Sequence, residues 1–189
     1  LRPDLRIVIM SATLDGEKLA TQIQAPRLSS QGKSYPVDIS HFPVRKDEML
    51  NNQCKRAIEQ ALQQHPGDVL VFLPGRREIQ ALQKLLEPLA NTCLQVLPLH
   101  GDLPIEQQSQ VLHATPEGIR RIVLASNVAE SSVTLPSVRV VIDSGLAREP
   151  RFDPNSGFSR LDLVTISQAS ADQRAGRAGR VSAGFCYRL

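Results

Sequence analysis

Val69-Leu70-Val71-Phe72-Leu73 is an unbroken run of large apolar residues. A strand that is apolar on both sides must be covered on both sides, which is typical of parallel sheets with helices on each face. Apolar-rich runs predict further strands at residues 95–99, 122–125 and 138–143, and strands are also predicted at residues 37–42 and 184–189. The sequence therefore predicts a sheet built largely of buried strands.

Segments between these runs predict helices, at residues 49–65, 76–90 and 104–113. Strands that alternate with helices predict an α/β fold, in which a parallel, doubly wound sheet carries helices on both faces. Because ligands bind beyond the carboxyl ends of parallel strands, the residues that follow each run are candidate site residues. These are Pro74-Gly75-Arg76, His100-Gly101, Ser126-Asn127 and Ser144-Gly145.

The composition indicates one main domain, because 189 residues with 41% hydrophobic and 22% charged side chains are enough for one sizeable core. The charge is distributed unevenly. Residues 120–189 hold ten arginines and six acids, whereas residues 1–119 hold twelve basic and thirteen acidic residues. The surface for an anionic partner is therefore expected in the C-terminal third.

Cys54, Cys93 and Cys186 are scattered, without a Cys-x-x-Cys pair or companion histidines. Neither a disulfide framework nor a zinc site is predicted, and a reducing, cytoplasmic location is expected. No apolar run approaches the length of a membrane span, so no membrane segment is predicted. The chain starts at Leu1 and ends within an apolar stretch, which predicts a piece of a longer protein.

The N-terminal region begins with an apolar run at residues 5–10, which predicts a buried strand, followed by Ser11-Ala12-Thr13 and a helix to about Gln24. The hydroxyl residues either touch a ligand or cap that helix. Gly32-Lys33-Ser34 matches the end of a phosphate-binding P-loop, but the glycine required five residues earlier is absent. Pro36 also prevents a helix from starting directly afterwards, so no P-loop is predicted.

Short hydrogen-bonding side chains crowd Asn127-Val128-Ala129-Glu130-Ser131-Ser132-Val133-Thr134, directly after an apolar run. They suit the phosphates and ribose hydroxyls of nucleic acid, and a helix cap followed by a turn is the alternative.

Two segments, residues 147–152 and 158–164, flank Asp153-Pro154-Asn155-Ser156-Gly157. This turn-forming sequence predicts a β-hairpin, which carries Arg148, Arg151 and Arg160. Its tip is either a wedge against a strand of nucleic acid or part of a plain surface hairpin.

Gln173-Arg174-Ala175-Gly176-Arg177-Ala178-Gly179-Arg180 spaces three arginines three residues apart among small residues. Ser170 and Gln173 match a capping box, which predicts a helix that begins just before the arginines. On that helix Gln173, Arg177 and Arg180 would share a face within about 60°, with the remaining arginine elsewhere.

Glycine inside a helix costs about 1 kcal/mol relative to alanine, so Gly176 and Gly179 indicate the close approach of another backbone or of a ligand. Two guanidinium groups and an amide on one face suit a phosphate chain, and a solvated basic helix face is the alternative.

Taken in order, these segments resemble the second RecA-like domain of superfamily 2 helicases, and more narrowly the DEAH-box group, closest to its bacterial HrpB-type members. Ser11-Ala12-Thr13 resembles motif III and Val71-Phe72-Leu73-Pro74-Gly75 motif IV. Residues 126–134 resemble motif V and residues 173–180 motif VI. The resemblance implies a RecA-like parallel sheet flanked by helices on both faces, with an inserted β-hairpin at residues 147–164.

The resemblance also implies roles at an ATP site. Arg177 and Arg180 would be arginine fingers for the β- and γ-phosphates, and Gln173 would contact the γ-phosphate or the attacking water. Three further residues would lie beside the nucleotide: Asp143, Gly145 and Leu112. Leu112 stands where related eukaryotic enzymes often place an aromatic side chain that stacks on adenine.

Contacts to the nucleic-acid backbone fall, by the same resemblance, to motifs IV and V: Gly75, Arg76, Asn127, Ser132 and Thr134. Ser11 and Thr13 of motif III would couple hydrolysis to domain movement. Because backbone contacts carry no sequence information, the expected partner is single-stranded RNA or DNA without strong sequence preference, and the family favours RNA.

The resemblance divides the chain into the remnant of a first RecA-like domain at residues 1–26, a linker at 27–36 and the second RecA-like domain at 37–189. The P-loop and the Asp-Glu-x-His box of the first domain are not in this sequence. ATP with Mg²⁺ would therefore be bound mainly by that domain, and the chain alone is expected to be inactive.

We therefore expect the C-terminal half of an ATP-dependent RNA or DNA helicase. Its partners would be single-stranded nucleic acid, the first RecA-like domain and further C-terminal domains of the same chain. The alternative is a non-catalytic module that binds nucleic acid or phosphate.

Overall fold

The computed structural model describes residues 2, 5–9, 16–28, 35–43, 45–113, 116–131, 135–154 and 157–189. The chain divides into two compact units, residues 1–32 and residues 33–189, and each is described by itself.

The first unit contains one helix in its described part, α1 at Gly16–Ile23, which confirms the helix predicted there. The strand predicted at residues 5–10 is wrong over its described part, because residues 5–9 are exposed and form no strand. A strand needs a neighbour for its backbone N–H and C=O groups, and none of the described strands pairs with this run.

The described part of the second unit contains eight strands. They are β1 (Val37–His41), β2 (Asp68–Phe72), β3 (Leu94–Leu99), β4 (Arg120–Ala125), β5 (Val138–Asp143), β6 (Leu146–Asp153), β7 (Phe158–Thr165) and β8 (Gly184–Arg188). Six of them form one sheet in the order β1-β8-β5-β2-β4-β3, and every pair in it is parallel. The predicted parallel sheet is therefore confirmed, and so is the hairpin, because β6 pairs with β7 antiparallel.

Helices join these strands. They are α2 (Leu50–Gln64), α3 (Arg76–Leu86), α4 (Ile105–Leu112), α5 (Val128–Ser131) and α6 (Gln168–Ala175). The first three match the predicted segments within a few residues, except that α3 ends early and continues as a short 3-10 helix at Glu87–Leu89.

The central strand β2 is buried along its whole length, and its side chains alternate between two layers. Val69 and Val71 belong to a core that includes α2 and α3, whereas Leu70 and Phe72 belong to a core that includes α4, α5 and α6. Successive side chains of a strand point to opposite faces, so one apolar run builds both cores. This explains why the run has no polar positions.

The ladder of hydrogen bonds continues past the carboxyl ends of the central strands. The Leu73 N–H donates to the Ala125 carbonyl at 2.8 Å, and the Ser144 N–H donates to the Phe72 carbonyl at 3.2 Å. The Ser126 N–H likewise donates to the Leu99 carbonyl at 3.1 Å. These bonds bring the segments that follow β2, β3, β4 and β5 to one edge of the sheet.

Candidate functional site

Helix α6 begins three residues earlier than its sequence predicts. Its N-cap is Ser167, whose hydroxyl oxygen accepts a hydrogen bond from the Ser170 N–H at 3.2 Å. The predicted capping box at Ser170 is therefore wrong. The Ser170 hydroxyl instead donates to the Glu130 carboxylate at 2.6 Å, so it joins α6 to α5.

The arginine-rich stretch does not continue as a helix, because α6 ends at Ala175. Residues 176–180, here called the arginine turn, form a turn with backbone hydrogen bonds between residues three positions apart. The N–H groups of Arg177 and Ala178 donate to carbonyls three residues earlier, at 3.1 and 3.0 Å. The predicted helical face shared by Gln173, Arg177 and Arg180 is therefore wrong.

Close backbone packing is the reason that the helix stops here. The Tyr35 N–H donates to the Gly179 carbonyl at 2.8 Å, which draws the arginine turn against the chain just before β1. A Cβ on Gly179 would lie 2.5 Å from the Tyr35 carbonyl oxygen, and one on Gly184 would lie 2.3 Å from the Ala178 carbonyl oxygen. The prediction that Gly179 permits the approach of another backbone is confirmed.

Replacing Gly179 with alanine is expected to lower the free energy of unfolding by about 1–3 kcal/mol, the usual cost of forcing an extra methyl into a packed site. Gly101→Ala is the matched control, because its Cβ would meet only Val128 at 3.9 Å, an ordinary contact. Urea denaturation of the chain measures both. Equal stabilities of the two variants would contradict the packing argument.

Arg177 and Arg180 lie together in the arginine turn and border one small gap in the packing, which has no room for a water molecule. Its other lining residues are Leu70, Ala129, Leu135 and Val138. Arg177 is buried and donates from Nη2 to the Glu130 main-chain carbonyl, whereas Arg180 is exposed. Burial, and then the charge of Arg180, lower the pKa of Arg177 to about 10, so it stays charged at neutral pH. Two neighbouring guanidinium groups of this kind suit an anion with several oxygens.

Arg174 occupies the centre of the site and is fully buried. Its Nε donates to the Glu130 carboxylate at 3.0 Å, and its Nη1 donates to the Asp143 carboxylate at 2.8 Å. The same Nη1 donates to the Leu146 carbonyl at 3.2 Å, and the guanidinium carbon lies 4.8 Å from the centre of the Phe72 ring. One side chain therefore joins α6 to α5, to the end of β5 and to the root of the hairpin.

The sequence does not reveal this role of Arg174 and Glu130. It indicates only that one arginine of the stretch does not share the face of the others. The sequence contains one signal that could have revealed it. Asp143 ends β5 and Glu130 lies shortly after β4, at the edge of the sheet where α6 begins. Because a buried guanidinium must be paired, such acids are its natural partners.

The predicted nucleic-acid contacts that the structure describes lie at the same edge of the sheet. Gly75 and Arg76 begin α3 directly after β2, and Asn127 follows β4. Arg76 and Asn127 are exposed, and Arg76 lies 3.9 Å from the exposed Asp102 carboxylate. The other two predicted contacts, Ser132 and Thr134, lie outside the described residues, and so do the predicted coupling residues Ser11 and Thr13.

The hairpin is attached to α3 at its root. Arg148 donates to Glu78 at 2.8 Å, and a Cβ on Gly75 would lie 3.1 Å from the Arg148 side chain. Toward its tip the hairpin exposes aromatic rings, with Phe152 and Phe158 at 66% and 75% exposure. Its base is therefore fixed while its tip presents apolar surface to solvent.

The three residues predicted beside a nucleotide occupy different surroundings. The Asp143 carboxylate is buried, where it accepts hydrogen bonds from Arg174 and from the Gly145 N–H at 2.9 Å. Gly145 adopts φ 68°, a left-handed conformation that favours glycine. Leu112 is 40% exposed at the end of α4. The structure thus joins Asp143 to Arg174 by a hydrogen bond, whereas Leu112 lies on α4.

Within the described ranges, no group of three or more His, Cys, Asp or Glu side chains is placed to hold a metal ion. None of the described helices is both long and apolar enough to cross a membrane.

Comparison with known proteins gives a family match over most of the chain. Residues 50–182 match the model of the helicase conserved C-terminal domain. The chain is 40% identical over 190 residues to ATP-dependent RNA helicase HrpB of Escherichia coli, covering 100% of this chain and 24% of that protein. It is 37% identical over 195 residues to the pre-mRNA-splicing factor ATP-dependent RNA helicase prp22 of Schizosaccharomyces pombe, covering 100% of this chain and 17% of that protein.

The crystal structure of the Escherichia coli DEAH/RHA helicase HrpB superposes with a TM-score of 0.91 at 39% identity, covering 100% of this chain and 24% of that one. This match, together with the parallel sheet, confirms the predicted RecA-like fold. The chain spans a quarter or less of the length of these relatives.

Proposed function

Since the chain belongs to the family of helicase conserved C-terminal domains and is similar over its whole length to DEAH-box RNA helicases, we propose that it is the C-terminal RecA-like half of an ATP-dependent RNA helicase. In this proposal the chain completes an ATP site whose other half lies on a first RecA-like domain. It also contacts the backbone of a single strand of nucleic acid.

One observation carries the proposal: Arg177 and Arg180 lie side by side in the arginine turn, and Arg177 is buried and charged. ATP supplies the phosphoryl group that is transferred to water. Charge that develops on the phosphate oxygens in this transfer is stabilised by fixed guanidinium donors, which is the role of arginine fingers. We assign that role to Arg177 and Arg180, and assign Gln173, in the last turn of α6, to the γ-phosphate or the attacking water.

The remaining residues of the nucleotide site follow from this assignment. Leu112 would give an apolar contact to the base, because it is partly exposed and carries no hydrogen-bonding group. Asp143 and Gly145 would act from behind the site, since the carboxylate is buried against Arg174. Mg²⁺ would be bound by the first RecA-like domain. Residues 1–26 would belong to that domain, residues 27–36 would form the linker, and residues 37–189 would be the second domain.

Nucleic acid would run along the edge where β2 and β4 end. Exposed Arg76 and Asn127 support this placement, because a guanidinium and an amide both donate hydrogen bonds to phosphate. We assign Ser132 and Thr134 to the same strand and Ser11 and Thr13 to coupling. The exposed rings of Phe152 and Phe158 suit a wedge that keeps a duplex parted.

Replacing Arg76 with alanine is expected to weaken binding of single-stranded RNA similarly for different sequences. Because one phosphate contact is lost, the slope of log affinity against log salt should fall by roughly 0.7. Lys84→Ala is the matched control, because Lys84 is exposed at the opposite end of the same helix. Fluorescence anisotropy across a salt series measures both, and an unchanged slope for Arg76→Ala would remove it from the strand path.

We propose that the full-length protein acts in the cytoplasm. The full-length protein is also the one that tests the proposed function. Single-stranded RNA is expected to raise its rate of ATP hydrolysis, and a duplex with a single-stranded tail is expected to be unwound only with ATP. The 189-residue chain alone should hydrolyse no ATP. Binding of RNA by the full-length protein without any hydrolysis would instead indicate a non-catalytic binding module.

A further inference from the structure

Glu130 connects three parts of the site through one residue. Its carboxylate accepts hydrogen bonds from the Ser170 hydroxyl at 2.6 Å and from Arg174 Nε at 3.0 Å. Its main-chain carbonyl accepts from Arg177 Nη2. A single residue of α5 therefore contacts the first turn of α6, the last turn of α6 and the arginine turn.

The partner of Glu130 is held rigidly. Arg174 is enclosed on the other side by the Asp143 carboxylate, the Leu146 carbonyl and the Phe72 ring. Side-chain exposure is 0% for Arg174 and 1% for Asp143. A guanidinium that is closed off from water and held by two carboxylates is a fixed point for anything bound to it.

The segment that carries Glu130 has little stability of its own. Helix α5 has four residues, Val128–Ser131, which is too short to persist without tertiary contacts. Ala129 is buried in the core, and Glu130 supplies the polar attachment. The position of the Glu130 carbonyl, and with it the position of Arg177, thus depends on the ion pair between Glu130 and Arg174.

The same segment directly follows Asn127, which we assign to the nucleic-acid strand. A force on Asn127 would reach Glu130 through three residues of backbone, and Glu130 touches Arg177 directly. The ion pair with Arg174 limits how far the Glu130 carbonyl can move. Because Arg177 donates to this carbonyl, a small shift of α5 would change that hydrogen bond.

We infer that Glu130 is a positioning residue, which sets the place of the Arg177 guanidinium from the fixed point at Arg174 and links it to the segment beside the nucleic acid. This inference rests on the proposed function, because it concerns the same arginine. Glu130 itself touches neither nucleotide nor nucleic acid in this scheme.

The test is Glu130→Gln in the full-length protein, which keeps the shape of the side chain and removes its charge. Loss of a charge-assisted hydrogen bond is expected to lower kcat for RNA-stimulated ATP hydrolysis by roughly tenfold. The KM for ATP should change by less than about threefold, because ground-state binding rests mainly on the other domain. Gln168→Ala is the matched control, since Gln168 is exposed on α6 and bonds only Asp172 among the described contacts.

A double variant separates positioning from general damage. If Glu130 acts through Arg177, Glu130→Gln should cause no further loss of kcat in an Arg177→Ala background. Multiplying losses in the double variant would overturn the inference, and so would wild-type kcat in Glu130→Gln. Glu130→Asp, which keeps the charge but shortens the reach, gives a second folded test and is expected to lose kcat about threefold.

The proposed function fails in a different way. Should Arg177→Ala retain full turnover, the finger assignment itself would be wrong. If Arg177→Ala loses turnover while Glu130→Gln keeps it, the arginine-finger role of Arg177 would be supported. Only the positioning role of Glu130 would then be wrong.

Discussion

Replacing Arg177 with alanine is expected to lower the RNA-stimulated ATP turnover of the full-length protein by about 10³-fold or more, the effect typical of arginine fingers. Arg177 is suited to this role because it is buried yet charged, with its pKa lowered only to about 10. A guanidinium held in place before the reaction stabilises the transition state without reorganisation. Alanine would remove the charge and leave the backbone of the arginine turn in place.

Kinetics and binding must be measured together for this variant. Binding of RNA and of ATP should stay within a few-fold of the unmodified protein, since the charge acts mainly on the transition state. Arg139→Ala is the matched control, because Arg139 is not itself a predicted site residue and donates to the Ala183 carbonyl at 2.9 Å. Turnover that survives in Arg177→Ala would favour the non-catalytic binding module.

Replacing Arg174 with methionine is expected to lower the free energy of unfolding by about 3–5 kcal/mol, the usual cost of breaking a buried ion pair. The substitution would leave the Asp143 carboxylate, at 1% exposure, without its guanidinium partner. Urea denaturation of the chain measures the loss. Arg160→Met is the control, because its ion pair with Asp162 lies on the exposed hairpin and should contribute at most about 1 kcal/mol.

A triple variant checks the physical cause of that loss. Arg174→Met combined with Glu130→Gln and Asp143→Asn removes the positive charge and both negative charges, so no buried charge is left unpaired. It is expected to regain part of the stability that Arg174→Met loses, because the cost lies in the uncompensated charge rather than in the missing contact. A triple variant no more stable than the single one would show that packing of the Arg174 side chain dominates.

Local patterns in the sequence predict most of the second unit. Each central strand is a continuous apolar run, because it must face two cores, and this property needs no knowledge of the neighbouring strands. The hairpin is also predictable from local sequence, because its turn residues act on the backbone within a few positions. The same rule predicts a strand at residues 5–10, which is wrong for the described residues 5–9, because an apolar run becomes a strand only where a neighbour pairs with it.

The candidate site was predicted less completely. Residue type and spacing single out Arg177 and Arg180, and the structure places them side by side, although by a turn rather than by a shared helical face. The end of α6 depends on Tyr35, more than a hundred residues away in the sequence, whose N–H bonds the Gly179 carbonyl. No local pattern contains that contact.

Local sequence patterns are enough to predict most helices and strands of residues 33–189 and the sheet edge at which the candidate site residues lie. Hydrophobic periodicity and turn chemistry act over a few residues, and carboxyl ends of parallel strands necessarily share an edge. The role of each polar side chain at that edge depends on tertiary contacts. Arg174 is a buried anchor and Arg177 a held guanidinium because Glu130 comes from α5 and Asp143 from β5, and buried charges pair only when these segments meet.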